Sequence, residues 1–125
     1  MARIADEELK KAFAELHEKV IDTRQKLKLA DIQIDTLRRN KQRAELTQVE
    51  LRTLPDKTKT FEAVGRMFIL QDRNTIKKDL DVRTKTADEK IKTLENNKTY
   101  LQRNLRESEN NIREMVQKRQ SQEAS

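Results

Sequence analysis

Phe61-Glu62-Ala63-Val64-Gly65-Arg66-Met67-Phe68-Ile69-Leu70 is the stretch that decides how this chain folds. Seven of its ten residues are apolar in a sequence that is 40% charged, and it holds the only glycine and two of the four aromatic residues. Phe61, Met67, Phe68, Ile69 and Leu70 suit strands, as do Thr58 and Thr60 before them. Gly65 supplies the permissive backbone for a turn between the two runs. Phe61 and Ala63 fall on one side of the first strand, with Thr58, Thr60 and Glu62 on the other, whereas the second strand is apolar on both. Periodicity alone also allows a helix over 61–70; the glycine and the aromatic and β-branched content favour a hairpin. An isolated two-stranded hairpin is marginal in water, and unpaired apolar strands invite pairing with another chain. The segment therefore predicts an oligomer assembled through the middle of the chain, with two helical arms leading away.

The arms are written in heptads. Leu9, Phe13, Leu16, Val20, Thr23, Leu27, Ala30, Ile34 and Leu37 alternate in steps of four and three, the seam of a coiled coil. Asp6 reads as an N-cap, giving helix one over 6–45. The seam fades at Lys41. Thr47 and Glu50 then read as a capping box, with Leu46 and Leu51 as a hydrophobic staple, so that 46–57 forms a short second helix and turn ended by Pro55. The hairpin follows over 58–70. Asp72 or Asn74 caps helix two, over 72–118, whose seam runs Leu80, Thr84, Ala87, Ile91, Leu94, Lys98 and on through Leu101, Leu105, Ser108, Ile112 and Met115. Residues 119–125 carry no seam and read as a frayed tail. The whole is one mainly α unit over 1–125: a long antiparallel two-helix coiled coil with a short β-hairpin at the connection. The register expected pairs Leu37 with Leu80, Leu27 with Ile91, Leu16 with Leu101 and Leu9 with Ser108. It places Lys98 near Val20, and Ile112 and Met115 near Ala5 and Ala2.

Composition removes most chemistry. At a mean hydropathy of -1.04 and 34% hydrophobic residues there is little material for a thick core. Without cysteine there is no disulfide and no thiolate metal site. His17 is the only histidine, so zinc and nucleophile–base arrangements lack partners. A single glycine excludes a glycine-rich phosphate loop. We read no catalytic residue, no metal, no cofactor and no enzyme. The net charge is +6, but both signs are interspersed, and no basic stripe with stacking aromatics points to nucleic acid. No apolar run reaches the roughly 20 residues of a membrane span, and Met1–Lys11 lacks a signal-peptide apolar block. The expectation is a soluble intracellular protein with no membrane partner.

Two surfaces remain. The hairpin residues Phe61, Val64, Gly65, Met67, Phe68, Ile69 and Leu70 form an assembly surface. At the arm ends, Ile4, Leu9, Phe13, Ile112, Met115 and Val116 read either as ordinary seam packing or as a surface for gripping another protein. Met115 and Val116 favour the second reading, because the expected register sets only Ala2 and Ala5 opposite them.

The blocks Glu8–Phe13, Val20–Thr23, Lys28–Ile34, Val64–Leu70 and Asn111–Met115 resemble the prefoldin family, in its β-class. Heptads recur widely, so Val64–Leu70 between two matching helices is the specific part. The resemblance implies a heterohexamer of two α-class and four β-class subunits, in which hairpins build a β-barrel platform from which six coiled coils hang. It implies that the hairpin residues build that platform and that apolar residues near the arm tips hold unfolded actin and tubulin. It further implies delivery to the cytosolic chaperonin without ATP, in the cytoplasm. The alternative is a structural coiled-coil scaffold, which has no need of an apolar strand segment at 61–70.

Overall fold

A computed structural model describes the backbone of residues 2–124 and the side chains of residues 7–123. The order is helix α1 (Ala2–Thr53), strand β1 (Thr60–Val64), strand β2 (Met67–Gln71) and helix α2 (Arg73–Ala124). The two strands form one antiparallel sheet, pairing Thr60 with Gln71, Phe61 with Leu70, Glu62 with Ile69, Ala63 with Phe68 and Val64 with Met67. Gly65 and Arg66 make the two-residue turn. Gly65 has φ 62° and, among the described residues, no other has positive φ, the pattern of a type II′ hairpin with glycine in its first central position.

Helix α1 corrects the expected break at residue 46. It begins at Ala2, so Asp6 lies inside it rather than capping it, and it runs unbroken to Thr53. Thr47 is the reason the capping box does not form. Its hydroxyl donates to the Arg43 carbonyl at 2.8 Å, the back-bond of a threonine inside a helix, instead of accepting from an N–H ahead of it. Leu46 is 60% exposed, so it staples nothing, while Leu51 is buried. The seam does not end at Lys41 but continues in step through Lys41, Ala44, Gln48 and Leu51, all covered. The helix stops one residue before Leu54, where Pro55 disfavours helical geometry. Pro55 O accepts from Thr58 N at 3.0 Å to close the turn.

Helix α2 starts where Asp72 O accepts the first helical bond from Ile76 N at 3.1 Å, which makes Asp72 rather than Asn74 the cap residue. Arg73 then reaches back across the connection. Its guanidinium donates to Leu54 O at 3.2 Å and also to Pro55 O, satisfying carbonyls that the end of α1 leaves without helical partners. The expected frayed tail is also corrected. α2 continues to Ala124, and the half-buried Arg119 lies 3.8 Å from Glu123, one turn on.

The chain divides into two compact units: unit 1 up to Asp31 and from Glu95 onward, and unit 2 over Ile32–Leu94. Within each, one stretch of α1 runs beside one of α2. In unit 2, Ala44, Leu51 and Leu80 form a buried cluster, with Leu54 and Ile76 packed on it. Lys41 Nζ lies 2.7 Å from Asp88 Oδ1, and Gln48 Nε2 donates to Asp81 Oδ1 at 2.6 Å. In unit 1, Thr23 and Ala30 are buried, Lys19 Nζ donates to Ser108 Oγ at 2.6 Å, and Lys98 is paired with Asp31.

These contacts correct the expected register. Ser108 faces Lys19, ten residues along α1 from Leu9. Leu80 packs on Ala44 and Leu51 rather than Leu37, and Lys98 meets Asp31 rather than Val20. The cause is the uninterrupted α1: both helices are 52 residues long, so pairing starts at the connection and not at residue 45.

Candidate functional site

The hairpin places its apolar residues on both faces. Strand alternation puts Phe61 and Ala63 beside Leu70 and Phe68 on one face, and Val64 beside Met67 with Ile69 on the other. Phe68 is 74% exposed, Met67 66%, and Phe61, Val64, Ile69 and Leu70 between 45% and 59%. Antiparallel sheets commonly keep one face polar; here the second face mixes Val64, Met67 and Ile69 with Thr60, Glu62 and Gln71, so large apolar side chains stand on both. Among the described residues each strand has one neighbour, so each also keeps an edge of unpaired backbone groups. Fully burying such a side chain contributes about 1.5–3 kcal/mol. Covering the exposed half of six of them therefore contributes on the order of 6 kcal/mol. Gly65 is needed for its backbone alone, since a Cβ built on it meets nothing within 4 Å.

The arm-end residues belong to unit 1, and the structure separates them. Phe13, Ile112 and Val116 line one cleft of about 280 Å³ with Arg113 and Gln117. Val116 thus has Phe13 beside it, and the expectation of only Ala2 and Ala5 opposite is corrected by the same change of register. Leu9, Ile112 and Val116 are half-buried, whereas Phe13 is 47% and Met115 43% exposed. The α2 seam also steps differently here. After Ser108 and Ile112 it passes to Val116 and Arg119, two steps of four and then three, leaving Met115 outside. Such a stutter locally unwinds a coiled coil. Ile4, Ala2 and Ala5 lie outside the residues whose side chains are described.

The hydrogen bond to Asp88, and then its charge, hold the Lys41 ammonium above the usual lysine value. His17 is exposed. Among the described residues no cluster of three or more His, Asp or Glu could hold a metal, and no helix is long and apolar enough to cross a membrane.

Sequence reasoning missed Arg73, whose clamp has no local pattern to reveal it. It also missed Lys41 and Gln48 as seam residues. Their signal was present, because the steps of four and three pass through both without a break.

Two long helices joined by a two-stranded antiparallel hairpin with exposed apolar side chains on both of its faces define the class of fold to which this chain belongs. The family model described as "Prefoldin subunit" matches residues 14–119, and the chain belongs to the prefoldin subunit family. It is similar to prefoldin subunit 1 of Homo sapiens, 59% identical over 80 residues that cover 64% of this chain and 66% of that protein. To prefoldin subunit 1 of Arabidopsis thaliana it is 35% identical over 74 residues, covering 59% and 58%. The matched stretch is just under two thirds of the length of the vertebrate relatives. The crystal structure of the prefoldin beta subunit from Thermococcus strain KS-1 has the same fold, with a TM-score of 0.71, 19% identity and coverage of 86% of this chain and 90% of that one.

Proposed function

We propose that this chain is a β-class subunit of a cytoplasmic heterohexameric prefoldin, a holdase that captures unfolded proteins without ATP. In this reading it assembles with two α-class and other β-class subunits through Phe61, Val64, Gly65, Met67, Phe68, Ile69 and Leu70. The observation that carries it is the hairpin, apolar on both faces and at least 45% exposed at six large side chains, in a chain of this family. Unfolded actin and tubulin are the proposed clients and the cytosolic chaperonin the recipient. In unit 1, the exposed Phe13 and Met115, with the cleft bounded by Ile112 and Val116, supply adaptable apolar contact for a client. Leu9 is half-buried and supports that surface.

The test is native mass spectrometry of the tagged chain recovered from its own cells, beside the Phe68→Asp/Ile69→Asp variant. The wild type should appear in a heterohexamer containing two α-type subunits. The variant should be absent from it, because charge is strongly disfavoured inside a sheet core, while its far-UV helicity is kept. A free chain or homodimer for the wild type would favour the scaffold reading instead.

A further inference from the structure

The two flanks of the helix pair in unit 2 differ in charge. On one, Asp88 binds Lys41 and Asp81 binds Gln48, so the acids there are already engaged. On the other flank runs a cleft of about 600 Å³, floored by the seam residues Leu37, Ala44, Leu80 and Ala87. Its rim carries Arg43, Arg83 and Lys90, all exposed, with Asn40, Thr47 and Thr86 between them, and no carboxylate lines it. Val82 stands in the same cleft at 62% exposure. A second cleft of about 670 Å³ shares Leu37 and Lys90 with the first and continues it along the same flank past Thr36 and Leu94, with Glu89 as the one carboxylate on its lining, so the purely cationic rim belongs to the first cleft. At its edge Ile32 is 55% exposed.

An open trough with an apolar floor and cationic rim, between two helices, matches a third helix with one apolar face and acidic flanks. A nucleic-acid backbone would satisfy the three cations but leave the apolar floor uncovered, and no aromatic side chain lines the trough for stacking. We propose that this flank of unit 2 is a docking groove for an acidic amphipathic helix of a partner protein, held by Arg43, Arg83 and Lys90 over the Leu37–Ala44 floor. The groove lies on the helices, not on the hairpin, and does not depend on assembly through the hairpin.

The chain has no cysteine, so Thr86→Cys gives the full-length chain a single fluorophore inside the groove. The probe is a synthetic peptide of about 18 residues, roughly 27 Å as a helix, with a leucine stripe and glutamates elsewhere. It should change the fluorophore's emission saturably. A scrambled peptide of the same composition should bind at least about tenfold more weakly, since it lacks the apolar face. Arg43→Glu/Arg83→Glu/Lys90→Glu should weaken binding by about tenfold or more and flatten its salt dependence. If that variant loses helicity by circular dichroism, Arg43→Gln/Lys90→Gln is compared in its place. No saturable response, equal binding by the charge variants, equal binding of the scrambled peptide, or tighter binding of a single-stranded oligonucleotide would each overturn the proposal.

Discussion

Gln48 Nε2 donates a 2.6 Å hydrogen bond to Asp81 Oδ1, tying the last turns of α1 to the first turns of α2. Seven residues earlier, Lys41 makes the equivalent link to Asp88. The two polar residues occupy consecutive heptad positions and each meets a carboxylate on the facing helix, one heptad apart. Polar seam residues of this kind fix register at a cost in stability.

Leu51 lies beyond that bond, in the buried cluster with Ala44 and Leu80. Leu51→Ala should destabilise the chain by about 2–4 kcal/mol, as deletion of a buried leucine does, and lower the thermal midpoint followed by circular dichroism. A change within about 0.5 kcal/mol, the range of surface substitutions, would mean that α1 does not continue as a packed helix past residue 46.

The register is checked by cross-linking. Lys19→Cys/Ser108→Cys should be joined readily by a short bis-maleimide. Leu9→Cys/Ser108→Cys should not, because ten helical residues displace the sites by about 15 Å. Efficient joining of the second pair and not the first would restore the register expected from the seam alone.

Arg73 holds Leu54 O and Pro55 O through two arms of one guanidinium. Arg73→Met should destabilise the connection by about 1–3 kcal/mol and speed amide exchange at Thr58, whose N–H is bonded to Pro55 O. Arg73→Lys should recover less than half of that loss, since an ammonium cannot reproduce the fork. Full rescue by lysine would leave charge alone as the cause.

Lys41 gives the pH dependence. Its ammonium is held above the ordinary value of 10.5 by Asp88. Protonation is therefore favoured by folding, and the pair's contribution is fully present below that value and lost as pH rises through the raised one. The stability difference between wild type and Lys41→Met should be constant from pH 7 to about 9 and shift against the wild type above about 10.5. A difference that changes between pH 7 and 9 would point to another group.

The hairpin was legible because its ten residues break the composition around them, and Gly65 marked the turn that the structure places there. The seam was legible in the same way from Leu16 to Leu37, whereas nearer the arm end Ala12 is covered and the expected seam residue Phe13 is exposed. Register was not. Any slip of seven residues sets apolar positions against apolar positions, so the heptads cannot choose among slips. The choice is made by where α1 ends, and Thr47 misled there, because one threonine serves as a cap or as a back-bonded interior residue with the same sequence around it. The arm-end surface inherited the error: Val116 found Phe13 beside it, and Met115 was left outside the seam.

Phe68 and Met67 are the most exposed apolar residues of the hairpin, and in the proposed assembly they would stay uncovered on a copy that finds no companions. Contiguous apolar surface on an open strand edge is what aggregates form on, and what cellular triage systems engage. Under the proposed assembly, an orphan copy would therefore display its own clearance mark, and lasting survival would fall to copies whose mark has been covered. On that proposal, the abundance of the chain would be matched to the supply of its companions by lifetime as much as by synthesis.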